Sequence, residues 1–311
     1  KAKEELGKLA GLSKPDRLET VSISGRRYWR ERWVPAPAVA IVGAYGAITS
    51  GKSKRDLLGG GRTMGSQTVV KQLKAASKHP GVKAIVFRVD SGGGSALASD
   101  EILKEIRRIQ EEEKIPVIVS MGNIAGSGGY WISMYGDMIF ADPFTITGSI
   151  GAAFAKPVID RLYDKIGVTN EVFKAGEHSD AWSPGRHMTE EEMEFLATLI
   201  TDTYERFLSN VSKGRKIDTE TVKSVAGGKV YFGTTALDLR LIDRLGGLKD
   251  AVEYAATHTG IENDYRTIYF RAFPGFLVNV DVRRITLNFR KALGALRPWK
   301  DNDFDETLTI F

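Results

Sequence analysis

Four short runs made almost wholly of apolar residues constrain this chain most. They are Ala38–Tyr45 (AVAIVGAY), Ala84–Val89 (AIVFRV), Pro116–Ser120 (PVIVS) and Met138–Ala141 (MIFA). Each is too short for a buried helix and too apolar for a strand with one wet face. Each therefore reads as a strand covered on both sides. Helical patterns separate them, at Gln67–Ser77, Ala98–Glu113 and Ser127–Tyr135. Strand alternating with helix at this spacing calls for crossover connections and a largely parallel sheet, an α/β fold.

Further along, residues 157–167 and 188–213 carry helical patterns, and Thr189 with Glu192 fits a capping box. Thr219–Val225, Thr234–Asp238 and Leu248–His258 extend this helical second half. Two segments read otherwise: Gly51–Gly65 as a mobile loop and Glu171–Phe173 as β-like. The ends differ from the middle. Residues 1–37 read as a short helix, a polar arm around Glu19–Trp33 and a proline-containing linker. Residues 259–311 mix aromatics with alternating basic and apolar residues and read as an appendage. A single domain over 38–258 is expected between them.

Composition narrows the function classes. Hydrophobic residues make up 42% and charged residues 27%, enough for an ordinary core. The 44 basic residues are interleaved with 39 acidic ones, so the net charge of +5 argues against a nucleic-acid partner. Weak attraction to an anionic membrane surface stays open. With no cysteine, disulfides and thiolate chemistry are excluded. His79, His178, His187 and His258 show no metal-ligand spacing, so no metal site is expected. No run of about 18 apolar residues marks a membrane-spanning helix. The chain starts at Lys1 rather than methionine, which suggests a piece of a longer protein whose anchor lies elsewhere.

Four segments are candidates for chemistry. Gly46–Ser53 (GAITSGKS) has the spacing of a phosphate-cradling loop, with Lys52 and Ser53 as phosphate and Mg²⁺ partners. That reading requires a helix starting at Gly51, and the run from Lys52 meets Gly59-Gly60-Gly61 after barely two turns. Asp90–Ser95 (DSGGGS) lies between a strand and a helix and can turn amides toward an oxyanion, or simply make a tight turn. Ala125–Tyr130 (AGSGGY) sets Ser127 among small residues at a helix start, as a reachable nucleophile or a capping serine. Ala125 stands where a GxSxG elbow would have glycine. A triad of Ser127, Asp180 and His187 keeps a hydrolase chain order, on spacing alone. Lys174–Pro184 (KAGEHSDAWSP) reads as a loop.

Taken together, KAIVFRVDSGGGSALASDEI, PVIVSMGNIAGSGGYWIS and TITGSIGA resemble the signal peptide peptidase A family of the ClpP/crotonase superfamily. SPGRHMTEEE and GGKVYFGTTALDLRLIDRLGGLKDAV continue the likeness, in order, over roughly residues 38–258. The resemblance implies a spiral of ββα units and a Ser–Lys dyad that cuts hydrophobic peptides left in membranes, preferring small side chains beside the scissile bond and needing no metal or organic cofactor. Under it, Ser127 matches the nucleophile, and Gly93 and Gly128 match the oxyanion donors. Asp90 and Gly92 stand where the family commonly has asparagine and proline, which implies a more flexible turn.

One departure bears on mechanism. Short members carry the lysine in the loop matching AGEHSD, where this chain has Ser179. Long members are tandem duplications whose first half gives the lysine and second half the serine, and the arm Arg26–Trp33 resembles such a second half. The expectation is a C-terminal half whose lysine comes from an absent half or a partner, homo-oligomers included. A short member whose lysine was replaced at Ser179 is the competing explanation. The resemblance further implies a membrane-associated setting, periplasmic or otherwise extracytoplasmic, with residues 276–294 as a surface contact or a packing segment. Two other functions compete: a nucleotide-binding protein using Gly46–Ser53, and a catalytically silent scaffold of the crotonase type.

Overall fold

The computed structural model describes residues 36–55 and 62–270. The expected N-terminal arm, including Arg26–Trp33, and the segment 276–294 lie outside the described residues.

The four apolar runs all become strands, and the sheet they build explains their composition. Strand β1 (Ala38–Tyr45) pairs in parallel with β5 (Val82–Ser91), and β5 with β6 (Val117–Gly126). β6 in turn pairs in parallel with β7 (Met138–Ala141), and β7 with the two-residue β10 (Arg244–Leu245). Between β1 and β5 lie β2 (Ala47–Thr49), β3 (Lys54–Arg55) and β4 (Arg62–Gly65), which form a small separate sheet. The segment expected as a mobile loop thus carries ordered strand pairing at both its ends.

Alternate residues of the main sheet enter two cores. Ala40, Val42, Phe87, Val89, Val119 and Met121 face the larger one. Helices α1 (Ser66–Ser77) and α2 (Ala96–Arg108) contribute Leu73, Ile102 and Ile106 to it. Val39, Ile41, Val86 and Ile118 face the smaller core, which is closed by Ala251, Val252 and Ala255. A parallel sheet has no wet face, which is why the runs are apolar throughout rather than alternating.

β6 is long enough to serve two neighbours. Its first half pairs with β7, and Ile124–Gly126 pair with β8 (Ile146–Gly148), itself antiparallel to β9 (Val230–Phe232). Helix α3 (Gly128–Trp131) follows β6 and is shorter than the helix expected through Tyr135, because the chain turns after Ile132. Tyr130 anchors it: its ring is fully buried and its hydroxyl donates to Leu241 O at 2.9 Å.

The second half holds α4 (Asp160–Ile166), α5 (Glu190–Arg215), α6 (Thr219–Val225), α7 (Gly233–Asp238) and α8 (Leu248–His258). Thr189 caps α5 as expected: its Oγ1 accepts from Glu192 N, while Glu192 accepts from Thr189 N. Two expectations need correction. Glu171–Phe173 forms no strand and leaves Phe173 92% exposed. The domain also runs past 258, because β11 (Arg266–Phe270) pairs in parallel with β1 at the edge of the main sheet.

Candidate active site

The site lies where the C-terminal ends of β5 and β6 meet. β6 stops at Gly126, and Ser127 turns the chain into α3 with φ 52° and ψ −120°. Backbone in such a sparsely populated region costs about 1–3 kcal/mol, which surrounding contacts must offset. Here the Ser127 N–H donates to Gly148 O at 3.0 Å, and Tyr130 locks the helix beyond. Ser127 is partly exposed and opens onto a cleft of about 590 Å³.

Beside it runs the turn after β5. Gly93 and Gly94 have φ of +111° and +148°, conformations that glycine supplies without steric cost. A Cβ on Gly93 would stand 2.8 Å from both Ser127 Cβ and Gly128 N, so the turn lies against the serine. Ile48 of β2 pins its outer side: Ile48 N donates to Gly93 O, and Ser95 N donates to Ile48 O, both at 2.9 Å. The Gly93 N–H donates to Ser91 Oγ at 3.1 Å. Gly128 is the first residue of α3, so its N–H belongs to the donors that a helix start leaves without an intrahelical partner. The structure thus brings Ser127, Gly93 and Gly128 into one constellation.

The cleft walls come from three segments: Ser149 to Ala153, the α5 residues Ile200 and Tyr204, and the Gly227-Gly228 turn. Ser149 is a site residue that inspection of the sequence missed. It has φ 49°, and its N–H donates to Lys229 O at 2.7 Å. The available signal was a second Gly-Ser pair after a strand, in TITGSIGA.

Among the described residues, no lysine lines this cleft. Lys174 Nζ donates to Glu177 O and Asp180 Oδ1, both at 3.0 Å. Lys156 Nζ donates to Ala181 O at 2.6 Å and Arg186 O at 2.9 Å. Ser179 Oγ donates to Gly176 O.

The loop that carries Ser179 is braced by charge. Arg186 bonds both oxygens of Asp180 and both of Glu192. The Arg186 guanidinium, with Lys174 beside it, holds the Asp180 carboxyl well below the usual carboxylate range. Arg186 and the Thr189 amide hold Glu192 down at about 2. Asp180 is therefore an ion-pair partner rather than an orienting group for His187, and the proposed triad is not assembled.

The phosphate-loop reading also fails. Ala47–Thr49 are strand, no helix begins at Gly51, and the Ser53 hydroxyl accepts the Gly65 N–H at 2.9 Å. The hydroxyl that would meet Mg²⁺ is stitching the loop to β4.

A profile of Peptidase family S49 matches residues 109–262. The protein named "Putative protease slr0021", from Synechocystis sp., is 39% identical over 228 residues, which is 73% of this chain and 76% of that one. Protease 4 of Haemophilus influenzae is 37% identical over 78% of this chain, and the match spans 36% of its own length. The chloroplastic serine protease SPPA of Arabidopsis thaliana is 31% identical over 81% of this chain and 37% of its own. This chain thus corresponds to little more than a third of two of these relatives. Among solved structures, a ClpP1 mutant from Listeria monocytogenes aligns with a TM-score of 0.45 at 17% identity, over 68% of this chain and 94% of that one; the assignment rests on the sequence relatives. The chain belongs to peptidase family S49, the signal peptide peptidase A family of serine peptidases.

Proposed function

We propose that this chain supplies the nucleophile of an endopeptidase that cuts hydrophobic peptides, such as signal-peptide remnants, at a membrane surface. The observation that carries the reading is the Ser127 elbow, partly exposed and lying against the Gly93 turn. Ser127 Oγ attacks the scissile carbonyl, and the amides of Gly128 and Gly93 receive the oxyanion. One such donor is worth about 3–4 kcal/mol in comparable enzymes.

A hydroxyl needs a base to become a nucleophile. An amine serves only while uncharged, in an apolar setting away from anions. Lys174 has a carboxylate partner, Lys156 is held by two carbonyls, and neither lines the cleft. These contacts support a Ser–Lys dyad whose lysine comes from another half of a longer protein or from a partner subunit. The Ser127 proton passes to that amine as the C–O bond forms. The resulting ammonium returns it to the departing nitrogen as the C–N bond breaks, leaving acyl-Ser127. Water, deprotonated by the same amine, then releases the acid. Among the described residues, the cleft wall carries no charged side chain, which suits apolar peptides. Membrane association would need a contact other than a spanning helix of the described residues, where none is long and apolar enough to cross a bilayer.

An activated-serine probe such as a fluorophosphonate should label this chain together with the upstream half, and not its Ser127→Ala variant. Labelling of neither protein would leave the silent-scaffold reading in its place. Full peptide hydrolysis by the isolated chain would refute the externally supplied lysine.

A further inference from the structure

The oxyanion donors proposed above lie on two different elements, and one residue touches both. Ser91 ends β5 and is 1% exposed. Its Oγ accepts the Gly93 N–H at 3.1 Å. Its carbonyl oxygen lies only 2.3 Å from where a Cβ on Gly129 would stand, so its backbone presses on the helix that presents Gly128. The turn is fixed from outside by Ile48, which bonds Gly93 O and Ser95 N but leaves the Gly93 amide to be aimed from within. That task falls to Ser91.

We infer that Ser91 is a positioning residue of the oxyanion site: its hydroxyl holds the Gly93 amide in register until the oxyanion takes over as acceptor. This inference rests on the peptidase reading of the same site. The logic is one of competing acceptors. A buried amide without a partner is costly, so an empty site needs a placeholder to keep the turn in place. A neutral hydroxyl is a weak placeholder, whereas an oxyanion accepts a charge-assisted bond roughly twice as strong. The exchange is therefore downhill only when negative charge develops on the substrate oxygen. Without the hydroxyl, the buried Gly93 amide finds a partner only by shifting the turn, and the donor arrives misaimed.

The test uses the full chain with the upstream half, comparing Ser91→Ala and Ser91→Thr with the wild type. Ser91→Ala should lower kcat by on the order of 10–10²-fold, approaching the loss of one oxyanion donor, with KM little changed. Affinity for a peptide boronate, which mimics the tetrahedral state, should fall in step with kcat. Affinity for an uncleaved peptide on a Ser127→Ala background should not. Ser91→Thr keeps the hydroxyl and should restore most of the rate. Unchanged kcat in Ser91→Ala, or equal loss of boronate and peptide binding, would overturn the inference while leaving the peptidase reading intact. A wild type that neither labels nor hydrolyses would overturn both.

Discussion

The strands that lead to Ser127 and the segment from Ala152 to Pro184 are built to different standards. Between Val82 and Ala141 nearly all the apolar side chains of the strands are buried in packed cores, and the Ser127 backbone is held by bonds from β8 and α3. Between Ala152 and Pro184 the picture reverses. α4 buries no residue, and Leu162, Ile166, Val172 and Phe173 are exposed. Trp182 packs edge-on against Phe154 at 5.0 Å while both stay half exposed. Ion pairs, rather than apolar contacts, brace the second region. The contrast separates a proposed nucleophile set in finished packing from a segment with apolar surface to spare, which fits the proposal that the base comes from outside.

That comparison can be broken in several ways, beginning with the nucleophile. Ser127→Ala should abolish probe labelling and lower hydrolysis by roughly 10⁵-fold or more, with an unchanged circular dichroism spectrum. Gly93→Ala forces a Cβ into Ser127 and Gly128 and strains a positive-φ backbone. Loss of hydrolysis on the order of 10²–10³-fold is expected, with a lowered Tm. Ser179→Lys sharpens the question of the base. If the chain is a short member stripped of its lysine, the isolated variant gains hydrolysis; if it is a second half, adding the upstream half remains necessary, and the second outcome is expected.

Effects on the braced region should be smaller. Arg186→Ala should leave probe labelling of Ser127 within about threefold, yet open the 174–188 loop to limited proteolysis, because Asp180 and Glu192 lose their shared cation. Acid should mimic this change. Both carboxyls are held below their ordinary values, so their contribution is complete above about pH 4.5. It fades as pH falls toward about 2, the value to which Glu192 is held. Protease sensitivity of the loop measured across that window checks the sign. Lys52→Ala should do least, with stability within about 0.5 kcal/mol and no change in nucleotide affinity by calorimetry.

The sheet was legible because its strands are buried on both faces, so AVAIVGAY or AIVFRV admits few other placements. β11 was not. RTIYF lies at an edge with Arg266, Thr267 and Tyr269 exposed, and its partner β1 lies more than 200 residues away. Local pattern cannot register such pairing. Ser127 and Gly93 stood out through glycine-rich turns, which the close approach of backbone to backbone demands. Ser149 and Ser91 did not, since their roles depend on which amide or carbonyl lies opposite. GAITSGKS is ambiguous for the same reason, and only the short run to Gly59 told against it: a hydroxyl that stitches a loop to a strand has the same letters as one that waits for a metal.

β6 hands its first half to β7 and its last three residues to β8, and β8 in turn leans on β9. Ser127 therefore depends on residues made about one hundred positions later in synthesis. A nascent chain emerging from the ribosome can close its central strands well before Val230–Phe232 exist to steady Gly148. The setting of the proposed nucleophile is therefore completed late in translation, after the strands that flank it have been made.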